Sequence, residues 1–104
     1  MLDAAREAIK ISKGVSRGNL EPFGLATLSL TRLLEILGEA ARRTSSEFRE
    51  RHGEIEWKLI AGTRDRLIHG YDTVDYDVLW DTCTLDLPPL VAKLEKVLHD
   101  EVGE

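Results

Sequence analysis

The chain has 104 residues, 42% of them hydrophobic, with nineteen acidic and fourteen basic side chains and a formal net charge of −5. That length supports one hydrophobic core, so residues 1–104 are expected to form a single domain, and the ordinary apolar share argues against disorder. The acidic balance does not favour non-specific binding to a polyanion, the lone Cys83 excludes an internal disulfide, and no Cys/His spacing suits zinc.

In chain order, helical periodicity dominates and alternating strand patterns are almost absent. Leu2, Ala5, Ala8, Ile9 and Ser12 trace one stripe that ends before the loop Gly14–Asn19. A second helix is predicted from Pro22 or Leu25 to Arg43, burying Ala26, Leu30, Leu33, Leu34, Leu37 and Ala41. Arg42 and Arg43 fall in its last turn, where positive charge complements the helix dipole. Thr44-Ser45-Ser46 can cap a short helix through Arg51, which Gly53 stops. A third main helix is predicted over Glu56–Tyr71, with the apolar stripe Trp57, Ile60, Ala61, Leu67, Ile68 and Tyr71. Asp72-Thr73 makes a turn and Asp75 caps the next segment. From there Tyr76, Leu79, Trp80, Cys83, Leu87, Leu90, Val91, Leu94, Val97 and Leu98 hold one stripe almost to the end. Pro88-Pro89 removes two backbone donors, so a kink or two abutting helices is expected there. The fold class is therefore all-α, a compact antiparallel bundle of about four to five helices. No apolar run approaches a membrane span, and the start lacks a basic-then-apolar signal segment. A cytoplasmic protein without metal or cofactor is expected.

Arg64 breaks the pattern. It falls on the stripe of Trp57, Ile60, Leu67 and Tyr71, where an apolar residue belongs. A guanidinium there needs an acidic partner, with Glu39 on the second helix as the candidate, or else an anion or an interface. On a regular helix Arg64 and Tyr71 project nearly the same way, while His69 is rotated by about 140° and stacks above Asp65. One ideal helix does not close Arg64 and His69 on a single phosphate. Either distortion near Gly70 or a two-fold dimer is needed.

The string R-D-R-L-I-H-G-Y, Arg64–Tyr71, resembles the R-x4-H-x-Y signature of the HEPN superfamily, in its HepT-like branch. Leu33–Arg43 is similar to the second helix of that family, the Trp57–Arg64 spacing matches, and Val74–Trp80 and Asp86–Leu90 resemble its closing helices. Glu56 stands where many relatives carry proline, and the first helix begins close to Met1, which makes the chain look a few residues short. The resemblance implies a HEPN-like helical homodimer acting as the RNase of a toxin–antitoxin pair, its partner a minimal nucleotidyltransferase antitoxin. It assigns catalysis to Arg64 and His69, a supporting polar role to Asp65, and AMP attachment by the partner to Tyr71. The local basic residues Arg66, Arg42 and Arg43 are the RNA-contact candidates.

The chemistry agrees with these residue types. RNA carries its own 2′-hydroxyl nucleophile, so cleavage needs proton transfer and charge stabilisation but no metal. Histidine titrates near neutrality, and arginine presents a fork to phosphate. Two other readings stay open: a non-catalytic helical module that binds a nucleotidyltransferase, and a nucleotide-binding module using Arg64 and Arg66, which lacks a glycine-rich phosphate loop.

Overall fold

The computed structural model describes residues 1–69 and 73–102, apart from the side chains of His69 and Thr73. In chain order it forms α1 (Leu2–Lys13), a 3-10 turn (Arg17–Asn19), α2 (Leu25–Arg43), α3 (Ser46–Arg51), α4 (Trp57–Ala61) and α5 (Thr63–Leu67). Two two-residue strands follow, β1 (Ile68–His69) and β2 (Thr73–Val74), then α6 (Tyr76–Asp81), a π turn (Thr82–Asp86) and α7 (Leu87–Val102). The architecture is all-α, with this minimal antiparallel ladder the one departure among the described residues.

Apolar spacing builds the core. On α2 the positions Leu30, Leu34, Leu37 and Ala41 recur at three- and four-residue steps and are buried, joined by Thr27 and Gly38. α1 presents Ala5, Ala8 and Ser12 to the interior and packs on both α2 and α7. Trp57, Ile60 and Leu67 close the core from α4 and α5, and Leu79, Cys83, Leu87, Leu94 and Val97 from the last rod. Ala26, Leu33, Trp80, Leu90 and Val91 are half-buried at its edge, whereas Leu98 is exposed. Burial pushes the Cys83 thiol up to about 12.

The caps read from the sequence are present. Ser45 Oγ accepts from Phe48 N at 3.2 Å, and Asp75 Oδ1 accepts from Val78 N at 3.1 Å. Pro88-Pro89 lies in the first turn of α7, and the preceding π turn absorbs the lost donors by shifting the hydrogen bonding one residue further along. The expected interruption is thus a π turn running into α7. No helix among the described residues is long and apolar enough to cross a membrane.

The predicted helix over Glu56–Tyr71 is divided. Gly62, a poor helix former, separates α4 from α5, and α5 stops at Leu67 because Ile68 is extended (φ −107°, ψ 120°). A β-branched residue at this position, two before Gly70, favours that conformation over another helical turn. Ile68 pairs with Val74 and His69 with Thr73, and Asp75 N donates to Leu67 O at 2.8 Å to close the hairpin. His69 therefore sits on a strand, and Gly70, Tyr71 and Asp72 lie outside the described residues.

Far from this hairpin, α3 is tied to the end of α7. His52 is buried, its Nε2 lies 2.6 Å from Glu101 Oε2, and Arg51 Nη2 donates to Glu101 Oε1 at 3.0 Å. The Trp57 indole donates to His52 O at 3.0 Å. The hydrogen bonds from His52 and then Arg51 hold the Glu101 carboxyl below its ordinary value.

Candidate active site

Arg64 is solvent-facing. Its side chain is 56% exposed, and Nε lies 3.4 Å from Glu35 Oε2. The break at Gly62 explains why it is not in the core, since Thr63 takes the buried position and its hydroxyl donates to Leu59 O at 3.4 Å. The partner is Glu35 and not Glu39. Glu39 lies one turn further along α2, where it meets Arg42 at 3.5 Å and Arg43 at 3.8 Å.

Arg64 opens onto a polar depression with Arg32, Glu35, Glu39 and Arg42, floored by Gly38 and Ala61. Gly38 makes this geometry possible. A Cβ there would stand 3.2 Å from Ile60 O, so the missing side chain lets α2 approach the end of α4. That approach puts the Ala61 carbonyl 2.9 Å from Arg42 Nη2, which satisfies a helix-terminal acceptor. Arg32 forms no ion pair among the described residues and shares the depression with Arg64. Three guanidinium groups thus face one recess that carries two carboxylates, and Arg64 meets Glu35 through Nε, which leaves its terminal nitrogens for a phosphate.

The remaining candidates separate. Arg66 turns the other way, donating to Leu59 O at 2.9 Å and Thr63 Oγ1 at 3.3 Å, so it braces α4 rather than joining Arg64. Arg43 is largely exposed and reaches the depression only through its 3.8 Å pair with Glu39. Asp65 is exposed in the first turn of α5. The helix ends at Leu67, so regular helical spacing does not relate Asp65 to His69. The angular mismatch between Arg64 and His69 is replaced by a chain that leaves the helix between them. The side chain of His69 and all of Tyr71 lie outside the described residues.

Sequence reasoning missed Glu35 and Arg32. Their signal was the outer stripe of α2, where Leu25, Leu28, Arg32, Glu35, Ile36 and Glu39 recur at helical spacing opposite the core residues.

Comparison with known proteins adds a family. A model described as "Ribonuclease HepT-like" matches residues 1–97. A protein of Caldanaerobacter subterraneus subsp. tengcongensis, provisionally named RNase TTE0752, is 39% identical over 89 residues, which is 86% of this chain and 80% of that one. The provisionally named ribonuclease HepT of Thermococcus cleftensis is 45% identical over 69 residues, 66% of this chain and 63% of its own. A protein of Methanocaldococcus jannaschii, provisionally named RNase MJ1380, is 32% identical over 97 residues, 93% of this chain and 89% of its own. Against the Thermococcus relative the chain spans a little under two thirds of the length. No solved structure matches. The chain belongs to the ribonuclease HepT-like family.

Proposed function

We propose that this protein is a metal-independent endoribonuclease, the toxin of a pair whose antitoxin is a minimal nucleotidyltransferase. The observation that carries the reading is the half-exposed Arg64, set in a recess of three arginines five residues before His69, in a chain of a ribonuclease family. In the reaction the RNA 2′-oxygen attacks the adjacent phosphorus and the P–O5′ bond breaks, leaving a 2′,3′-cyclic phosphate and a 5′-hydroxyl. The proton leaving the 2′-oxygen goes to a base and another is delivered to the 5′-oxygen. His69 serves one or both of these transfers, an effect typically worth ~10²–10⁴-fold. Arg64 clamps the phosphate, with Arg42 and Arg43 supplying field to the same recess, and Asp65 supports the imidazole.

A symmetric homodimer fits this chemistry because one protomer's His69 can then act as base and its partner's as acid. Leu25, Leu28 and Ile36 form an exposed apolar stripe on α2 beside the recess. Tyr71 is the regulatory residue. Its hydroxyl oxygen attacks the α-phosphorus of ATP held by the antitoxin, pyrophosphate leaves, and the attached AMP competes with RNA phosphate for Arg64.

The test is cleavage of single-stranded RNA in EDTA by wild type and His69→Ala, alongside mass spectrometry of the Tyr71 peptide after mixing with the partner and ATP. His69-dependent cleavage in chelator and an adenylyl mass on that peptide are expected. A folded, dimeric protein that binds the nucleotidyltransferase and cleaves no RNA would establish the non-catalytic module instead.

A further inference from the structure

Beside the arginine recess lies a second, apolar cavity of about 290 Å³ between the start of α2 and the β1–β2 hairpin. Glu35 lines both, so the two are adjoining compartments of one surface. Three features set this cavity apart from ordinary packing. Phe23 at its rim has φ +61°, a left-handed conformation that is strained for a bulky aromatic residue, and its ring is 79% exposed. Phe23 is not among the hydrophobic residues that build or flank the core. At the cavity wall Thr31 Oγ1 is buried yet has no hydrogen-bond partner among the described residues, although buried hydroxyls are normally satisfied. Leu28, Ile68 and Val74 complete apolar walls around these polar groups.

The geometry points to a nucleobase of the RNA substrate as the occupant of this cavity, an inference that rests on the ribonuclease reading of the neighbouring recess. An exposed aromatic ring offers a stacking face, and stacking on such a side chain is worth about 1–3 kcal/mol per base, roughly a 5- to 150-fold change in affinity. The Glu35 carboxylate supplies edge recognition. One Glu35 oxygen meets Arg64, and the other is placed to accept from a base N–H. The same Glu35 then links the base to the arginine that holds its phosphate. The volume is at the small end of ligand pockets (~300–1,000 Å³), right for a base and too small for a peptide segment.

The experiment is methyl NMR of the full chain titrated with AMP, CMP, GMP, UMP and ribose 5-phosphate, following Leu28, Thr31, Ile68 and Val74. The four nucleotides are expected to shift these signals and ribose 5-phosphate to leave them unmoved. Phe23→Gly, which removes the ring and relieves the backbone, is expected to weaken nucleotide binding about tenfold with the fold intact. Equal shifts with ribose 5-phosphate, or none with any nucleotide, would overturn the assignment. So would Phe23→Gly turning a dimer into a monomer in sedimentation, which would give the cavity to a second copy of the chain. RNA cleavage without base-dependent shifts refutes the cavity alone. Base-dependent shifts without cleavage refute the ribonuclease reading and leave a nucleotide site.

Discussion

Replacing Arg64 tests its observed ion pair against its proposed part as a phosphate clamp. The pair with Glu35 is 3.4 Å long, and its side chains are 56% and 29% exposed. Two unit charges at such a distance in water interact by about 1 kcal/mol, and measured exposed pairs retain about 0.2–1 kcal/mol after the entropic cost of holding both side chains. A domain of this size loses roughly 4–8 °C of Tm per kcal/mol, so Arg64→Ala should lower Tm by no more than that. Removing one pre-aimed donor from a developing charge typically costs about 10²–10³ in rate, so cleavage should fall by at least that much. Arg64→Lys sharpens the contrast. It keeps the charge opposite Glu35 but loses the planar fork, so its stability should match wild type while its cleavage stays low. The assays are thermal unfolding by circular dichroism and initial rates on a single-stranded RNA. A stability loss of several kcal/mol would show that Arg64 is a buried structural ion after all. Wild-type cleavage by Arg64→Ala would remove it from the chemistry.

Gly38→Ala should destabilise by about 1–3 kcal/mol in urea despite the better helix propensity of alanine, because its Cβ meets the Ile60 carbonyl at 3.2 Å. A neutral or stabilising result would mean that α2 and α4 need no close approach. Glu101 has a folded-state pKa below its ordinary 4.5, so its stabilisation is complete above that value and is lost as pH falls through the lowered one. Glu101→Gln should therefore lower the unfolding midpoint at neutral pH and match wild type well below pH 4.5, and an unchanged difference in acid would contradict the tether. Cys83, buried and with its thiol pushed up to about 12, should resist alkylation at pH 8 in the native protein and react fully in denaturant. Rapid native labelling would contradict its burial.

Periodicity made the helices legible where an apolar stripe ran unbroken, as on α2 and α7, and side-chain chemistry revealed the Ser45 and Asp75 caps. It failed over residues 56–71 because spacing alone registers a continuing stripe and not a local rupture. Trp57, Ile60 and Leu67 keep their core positions across Gly62, so the division into α4 and α5 leaves the pattern intact. That rupture moved Arg64 from an expected buried position to a half-exposed one. The exchange of Glu39 for Glu35 has a similar origin, since both lie on one stripe of α2 and only the height at which α5 crosses selects between them. The strain at Phe23 carries no sequence signature of its own, as its neighbours Pro22 and Gly24 mark only a turn.

The central claim is that this chain cuts RNA through Arg64 and His69 without a metal. The most direct measurement is product analysis of one defined RNA incubated in excess EDTA with wild type, Arg64→Ala and His69→Ala, each first shown to be folded. The account predicts fragments ending in 2′,3′-cyclic phosphate from wild type alone, at a rate the chelator does not change. Cleavage that stops in EDTA, or that persists in His69→Ala, would contradict it.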